Sequence, residues 1–136
     1  MALCYYNFMR LMGIDYGTKR IGLALSDEAG HFAMPHSVLA NTKDALAEVA
    51  SICLKEKIGT IVIGESSNYD STPNPIMTDI KVFAEALADK ADCQVVFEPE
   101  FYTSQEAQRI IGKDNLFDAR AAALILKSYI DKKTYA

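Results

Sequence analysis

The chain has 136 residues, half of them hydrophobic and 24% charged, which suits one soluble globular domain and leaves too little for two large ones. Its formal net charge of −4 argues against a non-specific nucleic-acid coat, which is usually basic, yet permits an enzyme that gathers acids around a metal and keeps a local basic rim. The longest apolar runs, such as "TIVIG" and "AAALIL", fall far short of a membrane span, so no membrane partner is expected.

The opening "MALCYYNFMRLM" is apolar but has neither a basic leader nor a small-residue cleavage site, and it does not read as a signal peptide. Residues 1–8 are either an extension before a start at Met9 or Met12, or an added edge to the first strand. Cys4, Cys53 and Cys93 are odd in number and widely spaced, with no CxxC, and His31 and His36 stand near none of them. This is neither a disulfide framework nor a zinc site, and free thiols suit a reducing cytoplasm.

"RLMGIDY" and "RIGLALSD" are apolar runs around a Gly-containing turn and predict a β-hairpin. "GHFAMPHSVL" predicts a third strand, at an edge because of Pro35. "TKDALAEVASICLKEK" carries Leu46, Val49, Ala50, Cys53 and Leu54 at helical spacing, with Thr42 as N-cap. "TIVIGES" reads as a buried central strand and "SSNYDSTPNP" as a loop. "IMTDIKVFAEALADK" is an amphipathic helix with Ile76, Ile80, Phe83 and Leu87 on one stripe. "CQVVFE" reads as another buried strand, stopped by Pro99. "TSQEAQRII" opens on Thr103 and Glu106 in capping-box spacing and closes at Gly112. "LFDARAAALILKSYIDKK" is the last helix. No repeat or linker divides this β-β-β-α-β-α-β-α-α order, so residues 1–136 are expected to form one domain. Its fold class is α/β, a mixed five-stranded sheet with helices on both faces. Parallel crossovers bring strand ends together at their C-terminal edge, where sites in such sheets form.

Acids fall at those ends. Asp15 ends the first strand, Glu65 follows the central strand, Glu98 and Glu100 flank Pro99, and Asp118 opens the final helix. Converging carboxylates repel unless cations intervene, and oxygen-only ligands suit Mg²⁺ or Mn²⁺. Two such ions about 4 Å apart activate water and stabilise the leaving oxygen in phosphodiester hydrolysis. Each residue also has a plainer reading. Asp15 could be a turn acid, although Asp-x-Gly-Thr is a poor two-residue turn. Asp118 could complement the helix dipole behind an Asn115 cap. Glu65 could face solvent, and Glu98 and Glu100 compete for one role. Lys19 and Arg20 beside an acid suit a phosphate contact. Thr103 is explained as an N-cap, and Asn68 and Asp70 as loop-shaping residues. The tyrosines are mostly partial core.

"GIDYGTKRIGLALSD" closely resembles the opening motif of the YqgF family, also called RuvX. The similarity continues through "IGTIVIGESSNYDST", "FAEAL", "PEFYTSQEA" and "FDARAAALILKSYID", and covers about residues 9–131. It implies an RNase H-like fold related to the RuvC junction resolvase. It also implies a metal-dependent nuclease, with Mg²⁺ or Mn²⁺ as cofactor. The function implied is maturation of the 5′ end of pre-16S rRNA in ribosome biogenesis, or Holliday-junction resolution. The family's acids fall on Asp15, Glu100 and Asp118, its basic pair on Lys19 and Arg20, and its loop asparagine on Asn68. Thr103 joins these as a substrate contact. Pro99 and Phe101 stand where the family has Asp and Arg, and Glu65 and Ser66 where it has Leu and Pro. The middle acid is therefore open among Glu100, Glu98 and Glu65.

The leading expectation is a divalent-metal-dependent endonuclease acting on structured nucleic acid, first an rRNA precursor and second branched DNA. Resolvase relatives act as dimers, so a homodimer is a further expectation. A non-catalytic nucleic-acid-binding or ribosome-assembly factor is the alternative from another class, supported by the altered "PEF" block. A phosphate-loop ATPase also opens on G-I-D-x-G-T, but such enzymes close two domains on the nucleotide and this chain holds one.

Overall fold

A computed structural model describes residues 10–66, 75–100 and 116–134. The elements are β1 (Arg10–Tyr16), β2 (Arg20–Ser26), β3 (Ala33–Ala40), α1 (Ala45–Lys55), β4 (Ile58–Ser66), α2 (Met77–Ala91), β5 (Gln94–Glu100) and α3 (Phe117–Thr134). Among the described residues the sheet has five strands in the order β3-β2-β1-β4-β5. β1 to β3 form an antiparallel meander, while β4 and β5 join β1 in parallel. The mixed sheet is as the sequence predicts. The helix expected over "TSQEAQRII", with its Thr103 cap, lies outside the described residues.

Alternation within the strands sorts the core into two layers. Met12, Ile14, Ile21, Leu23, Ile61 and Ile63 bury one face against α1 and α2, through Val49, Cys53, Ile80 and Leu87. The other face is built of small residues, among them Ala24 and Val62, and packs on Ala122, Ile125 and Leu126 of α3. Gly13 and Gly22 also belong to this second face. A Cβ on Gly13 would stand 2.6 Å from the Ala122 carbonyl oxygen. One on Gly22 would overlap the backbone of Asp118. Glycine at these two positions lets the α3 backbone lie directly on the sheet. The helix crosses from β2 at Asp118, over β1 at Ala122 and Leu126, to β5 at Ser128 and Lys132.

Three local expectations need correction. Thr42 is not the N-cap of α1. Asp44 holds that position without a side-chain cap bond, while the Thr42 hydroxyl accepts from the Asp44 N–H at 3.2 Å and its carbonyl from the Ala45 N–H. Leu54 does not join the buried stripe of α1. It is 72% exposed, and Ala45 takes the inward place. β5 is not a buried strand stopped at Pro99. It is an edge strand that runs through Pro99 to Glu100, with Phe97 exposed. An edge position tolerates the missing proline N–H.

Pro35 lies on the opposite edge strand, β3, as expected. β4 is buried as expected, with Ile61, Val62 and Ile63 wholly enclosed, but it lies between β1 and β5, and β1 is the central strand. Cys53 and Cys93 are free. Burial pushes the Cys53 thiol up to about 12, helped by the neighbouring Cys93. At the β2–β3 turn, Asp27 accepts from the Phe32 and His31 N–H groups, and these bonds hold its carboxyl below the ordinary range. Among the described residues no helix is long and apolar enough to cross a membrane.

Candidate active site

The hairpin fixes Asp15 first. The β1–β2 turn is closed by the Gly17 N–H donating to the Arg20 carbonyl at 2.9 Å, so Thr18 and Lys19 are its central residues. Asp15 lies before this turn, inside the ladder, in register with Gly22. It is a strand residue and not a turn acid. Residues Ile14 and Tyr16 belong to the core on the α1/α2 side, so alternation places Asp15 on the α3 side.

The α3 backbone then brings Asp118 to the same place. The Asp118 carbonyl rests on Gly22, the register partner of Asp15. Two acids far apart in sequence thus converge near the C-terminal end of β1. A third charged group is already there. The Arg20 Nε–H donates to Asp118 Oδ2 at 2.7 Å, with side-chain exposures of 54% and 18%. Arg20, expected to face a phosphate, is paired with an expected metal ligand. Lys19 is exposed and has no ion-pair partner among the described residues.

The remaining acids separate. Glu98 is 3% exposed, and its Oε2 accepts from the Ser128 hydroxyl and from the Lys132 ammonium, each at 2.7 Å. It clasps β5 to the second half of α3. Glu65 alternates with Ile61 and Ile63 and so shares the α1/α2 face, opposite Asp15. Glu100 closes β5 in register with Ser66, at the C-terminal end of the parallel strands. Asn68 and Thr103 lie outside the described residues. Among the described residues no three Asp, Glu, His or Cys side chains group to hold a metal ion.

Asn41, at the end of β3, was not foreseen. Its side-chain amide donates to the Gly17 carbonyl at 2.8 Å, and its backbone N–H donates to the Lys19 carbonyl at 2.9 Å. It therefore clamps the turn that carries Lys19 and Arg20. Its signal in the sequence is only an Asn after a strand, which fits any turn. Gly22 and Ala24, alternating with Ile21, Leu23 and Leu25, carried a legible signal: a strand with one small-residue face invites a close helix.

The fold is shared with solved structures. Thermus thermophilus RuvC in complex with a Holliday junction substrate matches with a TM-score of 0.59 at 17% identity, covering 93% of this chain and 96% of that one. The fowlpox virus Holliday junction resolvase matches with a TM-score of 0.54 at 15% identity, covering 91% and 99%. At these identities the likeness is one of fold, and the fold is the RNase H-like fold of the resolvases.

Sequence similarity takes the assignment further. Residues 9–132 match the family model RuvX, described as Holliday junction resolvase. A Syntrophomonas wolfei protein named "Putative pre-16S rRNA nuclease" is 34% identical over 133 residues, covering 90% of this chain and 94% of that one. A protein of the same name from Opitutus terrae is 33% identical over 135 residues, covering 92% and 93%. The chain belongs to the RuvX family.

Proposed function

We propose that the protein is a cytoplasmic, divalent-metal-dependent endonuclease that hydrolyses phosphodiesters of structured nucleic acid, with precursor 16S rRNA cut near its 5′ end as the first candidate substrate. The observation that carries this reading is the seating of Asp118 on Gly22 beside Asp15. It supports a two-carboxylate centre at a sheet edge, built from a strand and a helix. Hard oxygen donors fit Mg²⁺ or Mn²⁺, and a cation, the Arg20 guanidinium, already rests on one of them. Such ions, when bound, stabilise charge on the phosphate in hydrolysis.

The chain's own residues divide the remaining work. Asp15 and Asp118 hold the cation. Glu100 supplies the third carboxylate in place of Glu98, whose oxygen is committed to Lys132 and Ser128. Glu65, on the other face, is the weakest candidate. Lys19 and Arg20 grip a phosphate as charge-assisted donors, with Asn68 and Thr103 as further substrate contacts.

A branched DNA substrate, met by a homodimer across its two-fold axis, is the second reading, favoured by the family's description. End-labelled pre-16S RNA and a four-way DNA junction, each incubated with Mg²⁺, Mn²⁺ or EDTA, separate the two. Metal-dependent cutting of the RNA alone supports the first reading, and cutting of the junction alone the second. Binding without cleavage in any metal contradicts both, and makes the protein a binding factor.

A further inference from the structure

Arg20 stands where a phosphate-gripping residue should be free, yet its guanidinium is spent on Asp118 at 2.7 Å. Its backbone is fixed, because its carbonyl accepts the Gly17 N–H and the turn before it is clamped by Asn41. Its side chain is half exposed, with solvent on the side away from Asp118. The Asp118 backbone is held in place, since its carbonyl lies close against Gly22. One carboxylate is thus open both to an exposed internal cation and to an incoming one.

We propose that Arg20 is a displaceable stopper on Asp118. It occupies the carboxylate while the site lacks both cation and nucleic acid. Loading a divalent cation expels it, and the expelled guanidinium is then free to take a backbone phosphate. Cation and nucleic acid bind cooperatively as a result, and each tightens the other by the same factor. The inference rests on reading Asp15 and Asp118 as cation ligands. Partly exposed pairs of this kind shift an equilibrium by up to about fivefold, which sets the size of the effect.

The test is Mn²⁺ binding by calorimetry at low salt, free of any cleavage assay, for the wild type, Arg20→Gln, Lys19→Gln and Asp15→Asn. Arg20→Gln is expected to bind Mn²⁺ about fivefold tighter than the wild type, and Lys19→Gln, which loses an equal charge without touching Asp118, less than about twofold. The Arg20 Nε–H resonance is expected to shift when Mg²⁺ is added to the wild type. Ca²⁺ is expected to tighten binding of a labelled RNA more in the wild type than in Arg20→Gln. Equal tightening by the two charge-removing variants would reduce the effect to general electrostatics and overturn the stopper. So would an unmoved Nε–H resonance, or equal Ca²⁺ enhancement of RNA binding. Failure of the underlying reading is separate: wild type and Asp15→Asn would then bind Mn²⁺ equally weakly.

Discussion

Glu98 and Asp118 are both acids packed against a cation, and exposure separates their roles. Glu98 is 3% exposed with two partners on α3, whereas Asp118, at the rim, is paired with Arg20 among the described residues. Glu98→Ala would leave Ser128 without its acceptor and Lys132 without its counter-charge. The expected cost is about 1–3 kcal/mol in urea unfolding. Activity per folded molecule and Mn²⁺ affinity are expected to stay at wild-type level. A folded Glu98→Ala protein without activity would make Glu98 a ligand. Asn41→Ala keeps the hairpin register but frees the turn, so weaker RNA binding with unchanged Mn²⁺ affinity is expected in paired titrations. Asp15 was legible in the sequence, because an acid two positions before Gly17 is poorly explained by a turn. The Glu98 clasp was not. It depends on Ser128 and Lys132, which neighbour Glu98 only after α3 crosses the sheet.

Among the elements, α3 assembles the site. Its first turn lies on Gly22 and its middle on Gly13, so the helix position is set by two missing side chains. Gly22→Ala drives a methyl group into the Asp118 backbone. It is expected to cost about 1–3 kcal/mol as overpacking, and to lower cleavage further still, because the shift falls on a proposed ligand. Thermal melts and cleavage rates on the same preparation check this, and an active, unshifted Gly22→Ala protein would contradict it. The strand and helix identities of the described elements were readable from periodicity. The edge position of β5 was not, because "CQVVFE" has the apolar run of a buried strand and nothing local reports that β4 is its one neighbour among the described residues. Leu54 failed for a similar reason: helical spacing fits two adjacent stripes, and only packing against β4 and α2 selects one.

Across the whole molecule, the core layers differ in character. The α1/α2 layer is large and apolar and encloses Cys53, whose thiol is held neutral by burial. Its folded value of about 12 lies above the unfolded value near 9.0. The associated stability is therefore fully present below pH 9 and is lost as pH rises toward 12. Native Cys53 is expected to react with a thiol reagent at pH 8 only as fast as the fold opens, measured by peptide mapping of labelled protein. Faster labelling would contradict its enclosure. The α3 layer is thin and glycine-lined, and it carries the proposed chemistry at its rim.

The most direct measurement is pre-16S RNA cleavage in Mn²⁺ by the wild type and by Asp15→Asn, with the fold of both checked by circular dichroism. Loss of outer partners alone costs metal sites about 10–100-fold, so removal of a ligand is expected to cost more than about 100-fold, with melting curves unchanged. An Asp15→Asn protein that cuts at the wild-type rate would contradict the assignment of this site.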